Sequence, residues 1–252
     1  CELVNGEVDE EFLKLKASIA RIRRGFTATD VPKPPGMKGM LRAYQKAGLS
    51  WLLFLKEHDL GGILADDMGL GKTIQAIALI AQYASEGNLG PFLVVAPVST
   101  ITNWVREFAR FLPLVSVWAH LGPDRHRVPL DQKTHIVVTS YHTLQRDIVL
   151  FRATRWEVLV LDESQVLKNH LSKSHQAVSL LDRGQTVAMS GTPVENNIGE
   201  LWSIMRILNP GLFRGRTEFL RHYRKPLTER NDHTIAELKR RINPFLLRRT
   251  KR

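Results

Sequence analysis

Cysteine is nearly absent: Cys1 is the single one in 252 residues. That excludes a disulfide framework and a thiolate-bound structural metal, and makes a reducing, intracellular setting the expectation. Long apolar runs are missing too; nothing approaches the roughly 18 uninterrupted apolar residues of a membrane-spanning helix. Initiating Met is absent, and the first residues carry Glu2, Glu7, Asp9, Glu10 and Glu11 where a secretory signal would carry bases. The chain therefore reads as an internal piece of a longer protein. No HExxH or CxxC pattern occurs among the nine His, and His170 and His175 fall five apart, off a shared helix face. Acidic residues are the scarcer charge, 25 against 36 Lys plus Arg, a net of +11. With 43% apolar and 24% charged residues, the composition is that of a globular domain with a sizeable core.

The positive excess is concentrated. From Arg214 to Arg252 there are 13 Lys or Arg and 4 Asp or Glu, a net of +9, leaving +2 for everything before it. Such a patch suits a polyanion, nucleic acid above all, or equally a solvated helix surface beside another domain. At the other end, residues 9 to 24 place Phe12, Leu15, Ile19 and Ile22 on one helical face, and the Pro- and Gly-rich stretch after it reads as a linker. Residues 1–36 are accordingly expected to be a helix and linker from an upstream domain, with the main domain over 37–252.

Within that domain, short β-rich runs alternate with helical patterns, the mark of βαβ units around a mostly parallel sheet. The runs are 61–65, 91–97, 134–140, 156–162 and 185–191; helices are predicted over Thr73 to Tyr83, Thr102 to Phe111, Ser174 to Leu181 and Ile198 to Leu208. Several runs are apolar without alternation, as strands covered on both faces should be.

The sharpest chemical signal is GGILADDMGLGKT, residues 61 to 73: a strand, a glycine loop, then a helix. Gly69 and Gly71 let the backbone curl so that the N–H groups of Asp67, Met68, Gly69, Leu70 and Gly71 face phosphate oxygens. Lys72 would reach the β- and γ-phosphates, and Thr73 would offer a hydroxyl to Mg²⁺. One departure stands out: Asp66 occupies the place of the usual first glycine, so the loop must begin differently. A carboxylate on a neighbouring strand should complete the site. WEVLVLDES supplies Asp162 for the metal side and Glu163 to orient or deprotonate the attacking water.

Seven blocks in order carry a wider resemblance: LRAYQKAGLSWL, ADDMGLGKT, VVAPVSTITNW, VVTSYHTL, LDESQVLKN, MSGTPVENN and FLLRRTK, running from 41 to 251. The chain resembles the first RecA-like lobe of the SWI/SNF-type ATPases, a branch of the superfamily 2 helicases, and is most similar to the bacterial members. The resemblance implies a RecA-like three-layer α/β/α fold of the P-loop type. It implies ATP and Mg²⁺ as ligands, double-stranded DNA as partner, and a second RecA-like lobe of the same full-length protein across the nucleotide. Gln45 resembles the adenine-reading glutamine, its amide donating and accepting at once. Ser99, Thr100, Thr139 and Ser140 leave strands as short hydroxyls; the resemblance implies contacts to DNA phosphates, and helix capping is an equally good local account. Arg248 and Arg249 are expected on DNA, with lobe packing as the alternative. Gln165, Ser190, Gly191 and Thr192 would couple nucleotide state to DNA grip. Where many relatives have DEAH this chain has Ser164 and Gln165, so a charged contact at Gln165 is excluded near neutral pH. Trp51 is expected in the core.

The reading is a DNA-translocase motor lobe whose hydrolysis is very weak without its partner lobe. An RNA helicase of the same superfamily, a small-molecule phosphotransferase and a nucleotide-switched scaffold remain as alternatives.

Overall fold

The structure is a computed structural model and describes residues 31–126, 135–191, 198–213, 215–228 and 232–251. The helix expected over residues 9 to 24 and the coupling residue Thr192 lie outside the described residues.

Seven strands form one sheet in the order β3-β4-β2-β5-β6-β1-β7, every neighbouring pair parallel. In chain order these are β1 (Gly62–Leu64), β2 (Phe92–Ala96), β3 (Val117–His120), β4 (Ile136–Ser140), β5 (Arg155–Leu161), β6 (Asp182–Met189) and β7 (Leu246–Leu247). Every residue of β1, β2 and β4 is buried, so both faces of the sheet are covered there, which is why these strands lack polar alternation. The five runs predicted from sequence are the five inner strands. The edge strands β3 and β7 escaped prediction: Val117–His120 is only partly buried and β7 is two residues long, so neither has a hydrophobic signature.

The helices are α1 (Ala43–Lys56), α2 (Lys72–Ser85), α3 (Val98–Phe111), α4 (Tyr141–Arg146), α5 (Ile148–Phe151), α6 (Lys173–Ser179), α7 (Ile198–Leu208), α8 (Arg216–Thr228) and α9 (Asp232–Ile242). Helix α2 packs between α1 and α3, while α4, α6, α7, α8 and α9 form a second run of neighbours. Helix α2 is deeply buried, with Ala76 to Ala81 wholly enclosed, so it is held firmly where its N-terminus meets the loop. Trp51 lies in the core, as expected, its indole donating to Pro244 O at 3.0 Å. No described helix is long and apolar enough to cross a membrane.

Parallel strands direct all their C-terminal ends to one edge. The loop after β1, Pro97 to Thr100 after β2, Ser140 at the end of β4, Asp162 after β5, Ser190 after β6 and Arg248 after β7 all emerge there. That edge is where open α/β sheets bind ligands.

A candidate nucleotide site at the strand ends

The loop between β1 and α2 is built by two glycines with positive φ, Gly69 at 83° and Gly71 at 75°. Gly71 is the residue before the helix and adopts the left-handed conformation; a Cβ there would meet Gln45 Nε2 at 2.6 Å. A side chain at Gly71 would thus be strained by the backbone and would displace the Gln45 amide. Helix α2 then presents its free N–H groups, with Lys72 and Thr73 in its first turn. Lys72 Nζ donates to Asp66 O at 2.7 Å, so the ammonium is turned into the bend. Asp67 accepts from Lys251 N at 3.0 Å, and Met68 is exposed at the tip.

Gln45 is 8% exposed and lies against this loop. Its Oε1 accepts from Arg42 N at 2.9 Å and its Nε2 donates to Leu70 O at 3.3 Å. Gln45, expected to read adenine, is therefore bonded to the glycine loop itself.

Two strands away, Asp162 ends β5 and both its carboxylate oxygens are held. Trp104 Nε1 donates to Oδ2 at 2.9 Å and Glu163 N to Oδ1 at 3.0 Å. Burial pushes the Asp162 carboxyl up, with the Glu163 charge adding to it, while the Trp104 bond and the Lys72 charge pull it down. Lys72 and Asp162 thus feel one another across the edge, as strand spacings of about 4.8 Å allow. Glu163 has φ 47°, ψ 51°, a conformation that costs a non-glycine residue about 1–3 kcal/mol and clusters at functional sites. Its Oε2 accepts from Gln165 Nε2 at 2.6 Å, and Gln165 Oε1 accepts from Ser190 Oγ at 3.2 Å. The neutral Gln165 therefore bridges the candidate base to the end of β6, and Met68 approaches Gly191 beside it.

The residues expected on DNA fare differently. Ser99 is exposed on the first turn of α3 and Thr100 donates its hydroxyl to Pro97 O at 3.0 Å. Thr139 is fully buried, its hydroxyl bonded to His120 O at 3.1 Å; Ser140 is 2% exposed and caps α4 by accepting from Thr143 N at 3.0 Å. The expectation that these two hydroxyls are exposed is corrected: the neighbouring strand and the following helix use them. Arg249 is corrected as well. Its side chain is 22% exposed and forms an ion pair with the fully buried Asp66, so it is engaged within the lobe; Arg248 is exposed.

Sequence reasoning missed Trp104 and the Asp66–Arg249 pair. Trp104 closes the block VVAPVSTITNW but nothing in the sequence joins it to Asp162, whereas Asp66 in a glycine's place was a visible anomaly without a visible partner. Among the described residues no group of three or more His, Cys, Asp or Glu could hold a metal.

Comparison with known proteins agrees with this geometry. The SNF2-related domain profile matches residues 44–252. A Bacillus subtilis protein, YwqA, named as an ATP-dependent helicase/translocase, is 41% identical over 240 residues, 92% of this chain and 26% of the relative. Human INO80, named as a chromatin-remodeling ATPase, is 35% identical over 243 residues, 88% of this chain and 16% of the relative. The Sulfolobus solfataricus SWI2/SNF2 ATPase core, solved in complex with dsDNA, superposes with a TM-score of 0.83 at 38% identity, covering 88% of this chain and 47% of that one. The chain thus spans about a quarter or less of these two curated relatives and about half of the solved core. With a parallel sheet, phosphate loop and acidic pair arranged as described, the chain belongs to the SNF2-related family and has the RecA-like fold of the SWI2/SNF2 ATPase core.

Proposed function

We propose that this chain is the N-terminal motor lobe of an ATP-dependent double-stranded DNA translocase, and that residues 37–252 form the lobe. The observation that carries the reading is one sheet edge holding both the glycine loop before α2 and the Asp162–Glu163 pair. The triphosphate is bound by the loop N–H groups from Met68 to Gly71 and by Lys72; the Asp67 N–H, also expected on the phosphates, is taken by Arg249 O instead. Gln45 meets the adenine after exchanging its bond to Leu70 O.

The donor set fits Mg²⁺: Asp162 is a partly buried carboxylate that no cation contacts among the described residues, with its carboxyl raised by burial. Asp162, through water, and Thr73 would hold the ion, which when bound supplies positive charge to the phosphate oxygens. Glu163 takes the proton of the attacking water, its carboxylate aimed by Gln165. The phosphoryl group passes to that water and ADP leaves. Lys72 stabilises the charge that develops. Gln165 and Ser190, with Gly191 and Thr192, relay the state of the site to the DNA-facing loops. A second lobe of the full-length protein completes the site with arginine side chains, so this lobe alone hydrolyses ATP hardly at all. The name of the DNA-bound Sulfolobus relative supports duplex DNA as partner, and Ser99, Thr100, Arg248 and the basic helices α8 and α9 supply the backbone contacts. An intracellular location follows from such a partner.

The test uses the full-length protein. Glu163→Gln lowers DNA-stimulated hydrolysis by about 10²- to 10⁴-fold while ATP still binds, and duplex DNA stimulates the wild type more than single strands or RNA do. Stimulation by RNA alone would replace this reading with that of an RNA helicase. Unchanged cellular function with hydrolysis abolished would replace it with that of a scaffold.

A further inference from the structure

Segment 246–251 has no part in the proposed chemistry, yet it is laced to the phosphate loop. Strand β7 pairs with β1, and the bonding continues beyond both strands. Ala65 N donates to Leu247 O at 2.8 Å and Asp67 N to Arg249 O at 3.0 Å. In return, Arg249 N donates to Asp66 Oδ1 at 3.1 Å and Lys251 N to Asp67 Oδ2 at 3.0 Å.

The Arg249 side chain ties together the parts that frame the loop. Its Nε donates to Asp66 Oδ1 at 2.9 Å and its Nη2 to Asp66 Oδ2, a two-pronged grip on the incoming arm. Nη2 also donates to Gln75 Oε1 at 2.6 Å, in the first turns of α2. Nη1 donates to Tyr44 O, beside Gln45, and the guanidinium lies 5.4 Å from the Tyr44 ring centre. Gln75 closes the circuit by donating to Asp66 Oδ2 and to Gly71 O, each at 3.2 Å. Gly48 on α1 makes the room, since a Cβ there would overlap Gln75 Oε1. Asp66 is 0% exposed, with Arg249 as its ion-pair partner.

A loop bent through two left-handed glycines has little stiffness of its own; the direction of its N–H groups is set by where its two ends are held. Arg249 holds both. We propose that Arg249 is a positioning residue of the nucleotide site, acting through Asp66 and Gln75, so that the segment leaving the lobe after β7 sets how tightly the triphosphate is gripped. The proposal rests on the reading of the loop as the ATP site and extends it to a residue that no phosphate touches. It also accounts for the acid in a glycine's place: Asp66 is the handle by which the segment holds the loop.

The experiment measures melting temperature, binding of a fluorescent ATP analogue, and DNA-stimulated KM and kcat in the full-length protein. Arg249→Gln raises the Kd and KM for ATP about tenfold, with kcat at saturation within about threefold, a misplaced loop costing binding first. It also lowers the melting temperature, because Asp66 is left buried without its counter-charge. The pair Asp66→Asn with Arg249→Gln leaves no lone charge; it regains most of the melting temperature and keeps the raised KM. Wild-type KM in Arg249→Gln overturns the proposal, as does a pair in which KM and melting temperature recover together, for then the contact is only structural. Should Arg249→Gln not fold, the pair carries the same test, wild-type KM again overturning. Lys72→Ala is the control for the site: if it binds ATP as the wild type does, the nucleotide reading itself fails. Loss of binding there alongside wild-type binding in the Arg249 variants sinks only the role of Arg249.

Discussion

Two aspartates follow strands of the same sheet edge, and their surroundings are opposite. Asp66, after β1, is completely enclosed and gripped by Arg249 and Gln75. Asp162, after β5, is partly buried, its carboxylate bonded among the described residues by the Trp104 indole and the Glu163 N–H, and its carboxyl is raised by burial. A buried carboxylate with a guanidinium partner has its charge answered within the fold. One left with neutral donors and an upward shift touches no counter-charge among the described residues, and the proposed cation would supply it. The contrast marks Asp66 as a framework acid and Asp162 as the acid free to take the role proposed for it.

The largest effect that would break this comparison is on stability. Asp66→Ala leaves Arg249 without its counter-charge and is expected to cost about 3 kcal/mol, the scale of breaking a buried pair; urea unfolding measures it, and a loss comparable to that of an average surface substitution would erase the distinction. Asp162→Asn should go the other way. Burial raises the Asp162 carboxyl, so the folded state keeps that proton to higher pH than the unfolded chain does. Ionising it therefore costs stability as pH rises from the ordinary aspartate range through the raised folded value, and the cost persists above it. In metal-free buffer, Asp162→Asn melts no lower than the wild type at neutral pH, and its relative stability increases as pH climbs through that window. A neutral-pH melting temperature well below wild type would show Asp162 to be a framework residue like Asp66. The smallest effect concerns Trp104→Phe, which keeps an aromatic ring but removes the donor to Oδ2. Hydrolysis in the full-length protein should fall about 3- to 10-fold, the scale of one ordinary hydrogen bond, with little change in ATP binding; a kcat at the wild-type value would show that the indole does not act on Asp162 in the reaction.

What the sequence made legible follows the same division. The inner strands were readable because burial on both faces leaves an uninterrupted apolar run, and the phosphate loop because glycines with positive φ stand at fixed spacing before a helix. Edge strands β3 and β7 and the helices α8 and α9 were not, since half-buried or strongly basic segments carry little hydrophobic periodicity. Asp162 and Glu163 could be named from their place after an apolar strand. The partners of Asp66 and Asp162 could not, because Arg249 and Trp104 are brought in by pairing and packing across 183 and 58 residues of chain. The hydroxyls of Thr139 and Ser140 misled for a related reason: a short polar side chain at a strand end reads the same whether solvent, a ligand or the next helix takes its hydrogen bond.

The central claim, a triphosphate in the bend from Met68 to Thr73 with its cation beside Asp162, is most directly tested by paramagnetic broadening of tryptophan indole N–H signals in the full-length protein when Mn²⁺·ATP replaces Mg²⁺·ATP. Trp104 bonds Asp162 itself, whereas Trp156 lies near the start of β5 with its indole bonded to Phe151 O, roughly 20 Å away at about 3.3 Å per strand residue. The account predicts that the Trp104 signal is lost first and far more strongly than that of Trp156. Equal broadening of the two, or none at Trp104, would contradict it.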